Sequence, residues 1–250
     1  MKKIYLILLI SGYLFPIKSQ NNTFLSLQKK YDRVSDAIND KGVYIAKNLS
    51  DNHLKSDDLN VLFVAYKNEK EFDVFAKKSS EVKYKKIATY NICKLSGLLG
   101  PKRKEGDGQV PEGFYYINYF NPVSTYYLSL GINYPNQSDK VKSTFPRLGG
   151  DIYIHGKCVT IGCLPMTDDK IKEIYLYALY AKDCGQLKIP VYIFPFKMSE
   201  ENQEICVKKY PQWTEFWKNL KQGYDIFEKE RRALKISVDK KGNYTFKQFD

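Results

Sequence analysis

The stretch that most constrains this chain runs Asp151-Ile-Tyr-Ile-His155-Gly156-Lys-Cys158-Val-Thr160-Ile-Gly162-Cys163-Leu-Pro-Met166-Thr167-Asp168. Ile152, Tyr153 and Ile154 are apolar or aromatic and read as a short strand. That strand runs into His155-Gly156, and Gly162 stands directly before Cys163. Thr167, followed by Asp168 and Asp169, is placed to cap a helix whose buried stripe is Ile171, Ile174, Tyr175, Ala178 and Leu179. Strand, tight loop and helix start follow one another so closely that an imidazole and a thiol must flank a single loop. These are the parts of a cysteine nucleophile and its base.

The chain holds only two histidines and five cysteines, Cys93, Cys158, Cys163, Cys184 and Cys206. An odd number leaves at least one thiol unpaired within the chain, and a nucleophile is one reason to keep it so. His155 can take the Cys163 proton to form a thiolate. Gly162 lets a substrate carbonyl approach the backbone, and the N–H groups of Gly162 and Cys163 are candidates for an oxyanion hole. The positive end of the helix after Thr167 is expected to favour thiolate. No Asp or Asn adjoins His155 in sequence, which leaves a backbone carbonyl to orient the ring. Two rivals stand beside this reading: a packed histidine with a buried structural cysteine, and a zinc ion held by His155, Cys158 and Cys163. The zinc set lacks a fourth ligand and the usual paired-cysteine spacing. His53 has polar neighbours and is assigned no role.

Elsewhere the chain sets compartment and frame. Met1-Lys2-Lys3, the apolar run Ile4 to Ile10 and small Ser19 read as a secretory signal peptide over residues 1–19. The run is short for a membrane span, so none is expected after cleavage. The net charge of +12 suits an anionic partner, although single, scattered lysines also solvate a surface, and no nucleic-acid module is recognisable. The 21 tyrosines can be buried or can offer aromatic faces to a sugar or peptide. Phe24, Leu27, Tyr31, Val34 and Ile38 predict a helix over 20–40, and polar residues 47–60 a loop. Val61 to Tyr66 predicts a buried strand; Glu69 to Lys78 fits either a helix or an edge strand. Further strands are expected from Tyr84, over Phe114 to Tyr119, over Ser124 to Leu130 and over Ile189 to Phe194. Residues 95–113 form a long Gly-, Pro- and charge-rich connection, and residues 137–150 a basic loop. Trp213, Phe216, Trp217, Leu220, Tyr224 and Phe227 mark a second helical stripe, and residues 235–249 a hairpin turning near Lys241-Gly242-Asn243. The division expected is an N-terminal helical and strand extension (20–80), a catalytic domain (81–200) and a C-terminal helix and hairpin (201–250).

With these residues in view, the run from Ile154 to Asp168 resembles the L,D-transpeptidase catalytic domain family of YkuD type, in its YafK-like branch. Supporting matches are Ser96-Gly97, Leu99-Gly100-Pro101-Lys102, Glu105-Gly106-Asp107, Pro111-Glu112-Gly113-Phe114-Tyr115, Tyr134-Pro135-Asn136, Gly185-Gln186 and Phe194-Pro195-Phe196. The resemblance implies an α+β fold, mainly a β sandwich or mixed sheet with packed helices, and no cofactor or metal. It implies action on peptidoglycan stem peptides: the cysteine attacks the carbonyl of the diamino acid before a terminal D-alanine, and an amine or water resolves the thioester. Cys163 then matches the nucleophile, His155 the base, and Gly162 the glycine before the nucleophile. Release of a protein linked to peptidoglycan, L,D-carboxypeptidase activity and a non-catalytic wall-binding module are the alternatives. The wider family places Ser-His-Gly ahead of its cysteine; here Thr160-Ile161-Gly162 stands there, a shorter form that the YafK-like branch shares. Lys102, Arg103 and Arg147 are candidates for binding substrate carboxylates, and Tyr134 for bordering the peptide.

Overall fold

The structure, a computed structural model, describes residues 23–249, so the expected signal peptide lies outside the described residues. Two helices open it, α1 (Phe24–Gln28) and α2 (Asp32–Asp51). The expected helix is thus broken near Tyr31, and α2 runs on into the stretch read as loop. The reason is that Ile45 and Leu49 continue the apolar stripe begun by Val34 and Ala37, and all four are buried.

Strands β1 (Asn60–Tyr66), β2 (Glu71–Lys77) and β3 (Lys85–Asn91) form an antiparallel meander. β2 is interior, not an edge strand. Its polar Asp73 and Lys77 obscured the pattern, but both are buried and satisfied. Thr89 and Lys86 donate to Asp73, and the Lys77 ammonium donates to the carbonyls of Lys78, Ser79 and Glu81. Next come β4 (Gly113–Asn121), β5 (Ser129–Ile132), helix α3 (Gln137–Lys142), β6 (Tyr153–His155) and β7 (Leu164–Pro165). Helix α4 (Asp168–Asp183), β8 (Pro190–Phe194), helices α5 (Glu200–Lys209) and α6 (Thr214–Glu230), and the hairpin β9 (Lys235–Val238)–β10 (Tyr244–Lys247) complete the chain.

Two expectations fail between β4 and β6. The strand expected over Ser124 to Leu130 begins only at Ser129. Before it, Asn121 accepts from the Val123 N–H and Ser124 from the Tyr126 N–H, while Arg33 donates to the carbonyls of Ser124 and Tyr127. These local bonds take backbone groups that a sheet ladder would need. The basic loop after residue 136 starts as α3, because Asn136 and Asp139 close a reciprocal capping box.

One eight-stranded mixed sheet runs in the order β3-β2-β1-β8-β4-β5-β6-β7. The β1–β8 and β6–β7 pairs are parallel and the rest antiparallel. This is the α+β arrangement expected. β1 and β2, from the segment read as an extension, lie inside this sheet. Side-chain alternation divides the core in two. Val61, Phe63 and Ala65 of β1 join Leu130, Ile154 and Leu164 in a large cluster with α2 and α4. Leu62, Val64 and Tyr66 join Tyr192 and Phe194 in a second cluster with Trp217, Leu220 and Phe227 of α6. Outward-facing residues of β5, β6 and β7 are absent from that second cluster, so α6 does not seal their face.

Candidate active site

β6 and β7 pair in parallel, with Ile154 opposite Leu164 and His155 opposite Pro165. Ile154 and Leu164 are fully buried toward α4, which turns their neighbours Tyr153, His155 and Cys163 to the other face. One position before the paired stretch, Cys163 lies alongside Tyr153, whose N–H donates to Sγ at 3.4 Å. The fold therefore carries His155 and Cys163 to the same face of two adjacent strands. Gly162 has φ +137°, and a Cβ there would lie 3.0 Å from the Gln109 carbonyl oxygen. Only glycine fits that backbone and that contact.

His155 is 1% exposed. Its Nδ1 lies 2.5 Å from the Gly156 carbonyl oxygen. A carbonyl only accepts, so Nδ1 carries the hydrogen and Nε2 of the neutral ring is left with a lone pair. This is the backbone orienter anticipated in the absence of a neighbouring Asp. Burial holds the His155 pKa below its ordinary value. Tyr126 packs on the ring with centroids 4.6 Å apart.

Cys163 is a free thiol. Burial raises its pKa, the Tyr153 N–H and the Lys102 ammonium pull it down, and the Asp151 carboxylate adds to the rise. The net direction is upward, against the expectation that the helix start would favour thiolate: removing the charge from water outweighs the local donors. The resting site is thus a neutral pair, a thiol and an imidazole with a free Nε2. The S–H points to the Asp151 carbonyl oxygen at 3.6 Å. The loop is held further where Thr160 Oγ1 donates to the Cys163 carbonyl at 2.8 Å and accepts from the Gly162 N–H at 3.1 Å. At the start of α4 the Thr167 side chain makes no capping bond, with φ 73°. Asp168 instead accepts from the Lys157 N–H at 2.7 Å, tying helix to loop.

The long connection forms a wall of the site. Cys93 and Cys158 are joined by a disulfide across 65 residues of sequence, with Cα atoms 5.5 Å apart. This uses one of the three ligands of the zinc reading. Among the described residues no group of three or more His, Cys, Asp or Glu is arranged to hold a metal ion. The Cys93 N–H donates to the Pro165 carbonyl at 2.8 Å, so the segment just before the connection is tied both to the β6–β7 loop and to β7. Glu112, fully buried, accepts from Lys67 at 2.8 Å, from the Gly100 N–H at 2.7 Å and from the Trp217 indole at 2.8 Å. Lys67 also donates to the carbonyls of Gly100 and Val110. Every charge in that network is paired, as a buried ion pair requires. Pairing with Cys93, packing of Tyr126 and the role of Glu112 were not read from the sequence. The one available signal was that Cys158 lies in the run from Ile154 to Asp168 and Cys93 just ahead of the Ser96-Gly97 match.

The remaining candidates are placed as follows. Lys102 is buried and donates to Asp107 at 2.6 Å, close enough to influence Cys163. Asp107 also accepts from the N–H groups of Arg103, Lys104 and Gln109, organising the bend. Arg103 donates to Asp139 at 2.9 Å, and burial pushes that carboxyl up to about 6. Tyr134 is 6% exposed, with its hydroxyl donating to the Leu148 carbonyl at 3.2 Å. The Arg147 side chain is exposed, and its carbonyl accepts from the Glu105 N–H.

A mixed α+β fold with a free cysteine and an oriented histidine on neighbouring parallel strands defines a candidate cysteine acyl-transfer site. The family model for the YkuD L,D-transpeptidase catalytic domain matches residues 61–193, and the chain belongs to that family. The Escherichia coli (strain K12) protein named "Putative L,D-transpeptidase YafK" is 39% identical over 175 residues, which cover 69% of this chain and 68% of that protein. Among solved structures, the helical cell shape determining protein Pgp2 from Campylobacter jejuni matches at a TM-score of 0.45 and 21% identity, covering 72% of this chain and 74% of its own. Bd1075 of Bdellovibrio bacteriovorus matches at a TM-score of 0.39 and 21% identity, covering 69% and 61% respectively.

Proposed function

We propose that this protein is an exported cysteine acyl-transfer enzyme of the cell envelope acting on peptidoglycan stem peptides, with Cys163 as nucleophile and His155 as general base. Family membership supports a peptidoglycan-related activity. The observation that carries the residue assignment is the His155 Nδ1–Gly156 carbonyl bond, which leaves Nε2 unprotonated on the face shared with Cys163. Because burial disfavours the thiolate, the thiol needs a base at the moment of attack. Among the described residues no helix is long and apolar enough to cross a membrane.

In the first step the thiol turns from the Asp151 carbonyl, His155 takes its proton, and Sγ attacks the carbonyl of the diamino acid. Of the two backbone N–H groups expected at the oxyanion, that of Gly162 donates to Thr160 Oγ1 in the resting site, so the Cys163 N–H is the donor assigned to it. As the carbon–nitrogen bond breaks, His155 returns the proton to the leaving amine and a thioester remains. In the second step an acceptor amine or water, deprotonated by His155, attacks the thioester and frees Sγ. An amine makes the enzyme a transferase; water makes it a hydrolase, including one that detaches a protein linked to peptidoglycan. Lys102 is buried and committed to Asp107 and the Lys104 carbonyl, so it acts on the electrostatics of Cys163 rather than as a free cation for a stem-peptide carboxylate.

The test is incubation of purified protein with defined tetrapeptide muropeptides, with and without an acceptor amine, followed by mass analysis. Loss of the terminal D-alanine, with an acyl adduct on Cys163 in the intact mass, is the expected result. A Cys163→Ala variant as active as the parent would sink the reading. Amine-dependent adducts identify transfer, and simple loss of the leaving group identifies hydrolysis.

A further inference from the structure

The open face of the sheet continues from Cys163 into a row of aromatic residues that the proposed chemistry does not use. In that row Tyr153 is paired with Gly131 of β5, and Gly131 with Tyr119 of β4. A Cβ on Gly131 would lie 3.2 Å from Tyr153 Cε1, 3.2 Å from Tyr119 Cβ and 3.1 Å from Asn118 Oδ1. The Tyr153 ring therefore lies down across the glycine rather than standing away from the sheet. A ring resting on backbone presents its face, and Tyr119 beside it is 52% exposed. Asn118 and Tyr119 also border a separate cleft of about 690 Å³ that lies toward α1, with Phe24, Gln28 and Phe120 in its lining.

We infer that Tyr119, Gly131 and Tyr153 form a stacking platform for a neutral pyranose ring of the glycan strand, adjoining the reacting cysteine. The inference rests on the peptidoglycan reading above and extends it from the peptide to the sugar. The electron-rich face of a tyrosine attracts the weakly positive C–H groups on one side of a sugar ring. Asn118 at one end of the platform and Asp151 at the other supply hydrogen-bonding groups for hydroxyls, and Asp151 already accepts from the Tyr153 hydroxyl at 3.3 Å. The Asp151 carboxylate also disfavours an anionic occupant here, which argues for the uncharged sugar over a second carboxylate-bearing peptide. The spacing agrees. Strands about 4.8 Å apart put Tyr119 about 14 Å from Cys163 across three intervals, with the platform between them. Three residues of extended peptide, from the sugar to the reacting carbonyl, span roughly 10 Å.

The test has a binding arm and a turnover arm, each on the full chain. Binding of a chito-oligosaccharide, a neutral polymer of N-acetylglucosamine, is measured by titration calorimetry or NMR in the Cys163→Ala background. Tyr119→Ala is expected to weaken binding three- to tenfold and Tyr153→Ala at least tenfold, while Tyr119→Phe stays within twofold of the parent. In the turnover arm, Tyr119→Ala is expected to raise KM on a glycan-linked tetrapeptide and leave both constants unchanged on the free tetrapeptide. Thermal melting of Tyr119→Ala, whose side chain is half exposed, confirms an intact fold. Oligosaccharide affinity unchanged in both alanine variants, or equal losses on the two substrates, would overturn the platform. A parent that turns over neither substrate would count against the acyl-transfer reading, and the binding arm would then decide the platform alone.

Discussion

The two halves of the sheet solve opposite problems. Across β1, β2 and β8 both faces are sealed, one by α2 and α4 and the other by Trp217, Leu220 and Phe227 of α6. Across β5, β6 and β7 only the α4 face is backed by a hydrophobic cluster; the other holds Cys163 and His155, the latter covered by Tyr126. The sealed half can hold its geometry through packed aromatic rings. The open half has no second core to lean on, so its loop is fixed by other means. These are a disulfide to Cys93, the Thr160 and Asp168 hydrogen bonds, and the Gly162–Gln109 contact. Glu112 links the two, because it receives the Trp217 indole of α6 while anchoring the connection that walls the site.

The sharpest way to break this contrast is to separate activity from stability. Cys163→Ala is expected to lower turnover by at least about 10³-fold, with a melting temperature close to the parent's, measured by product mass and calorimetry. Trp217→Ala should do the reverse. Emptying that fully buried site costs about 3–5 kcal/mol of unfolding free energy, read by denaturant titration, while folded protein retains its thiol chemistry. Equal damage to activity and stability in both variants would erase the distinction between the halves.

A smaller effect is expected from the covalent tie. A Cys93→Ser, Cys158→Ser double variant should lose about 2–4 kcal/mol of stability. It should also lose turnover, because its loop carries the nucleophile. If it loses stability alone, the disulfide serves the fold and not the site. The smallest effect is on pH. His155 must be neutral to act as base, and burial lowers its pKa, so the acid limb of kcat/KM should have its midpoint below 6.5. The same shift means the unfolded chain binds more protons below pH 6.5. This contribution to stability is full above 6.5 and is lost as pH falls through the folded value. An acid limb centred above 6.5 would contradict a buried, neutral base.

Much of the frame was legible because packing periodicity is local. β1 and β8 announce themselves as continuous apolar runs buried on both faces, and α4 and α6 through apolar stripes at helical spacing. The failures share a cause: side chains overrode the pattern. Tyr126 and Tyr127 read as strand, yet Asn121, Ser124 and Arg33 capture the backbone there. Asp73 and Lys77 interrupt an interior strand because partners distant in sequence or in the next turn satisfy them. At the site, His155 and Cys163 stood out as rare residue types at close spacing. Their supports did not, since Gln109 and Cys93 reach the loop, and Glu112 braces the connection behind it, only through the tertiary fold.

The parallel pairing of β6 with β7 has one more consequence. Parallel neighbours ordinarily need a crossover of a dozen or more residues, but here only residues 156–163 separate the two strands. So short a bridge works as a ruler. Adding or deleting one residue between Gly156 and Gly162 would shift Cys163 by one pleat and turn its sulfur toward α4. Cys158 and Thr160 aside, this segment should therefore tolerate exchanges of side chain far better than any change of length.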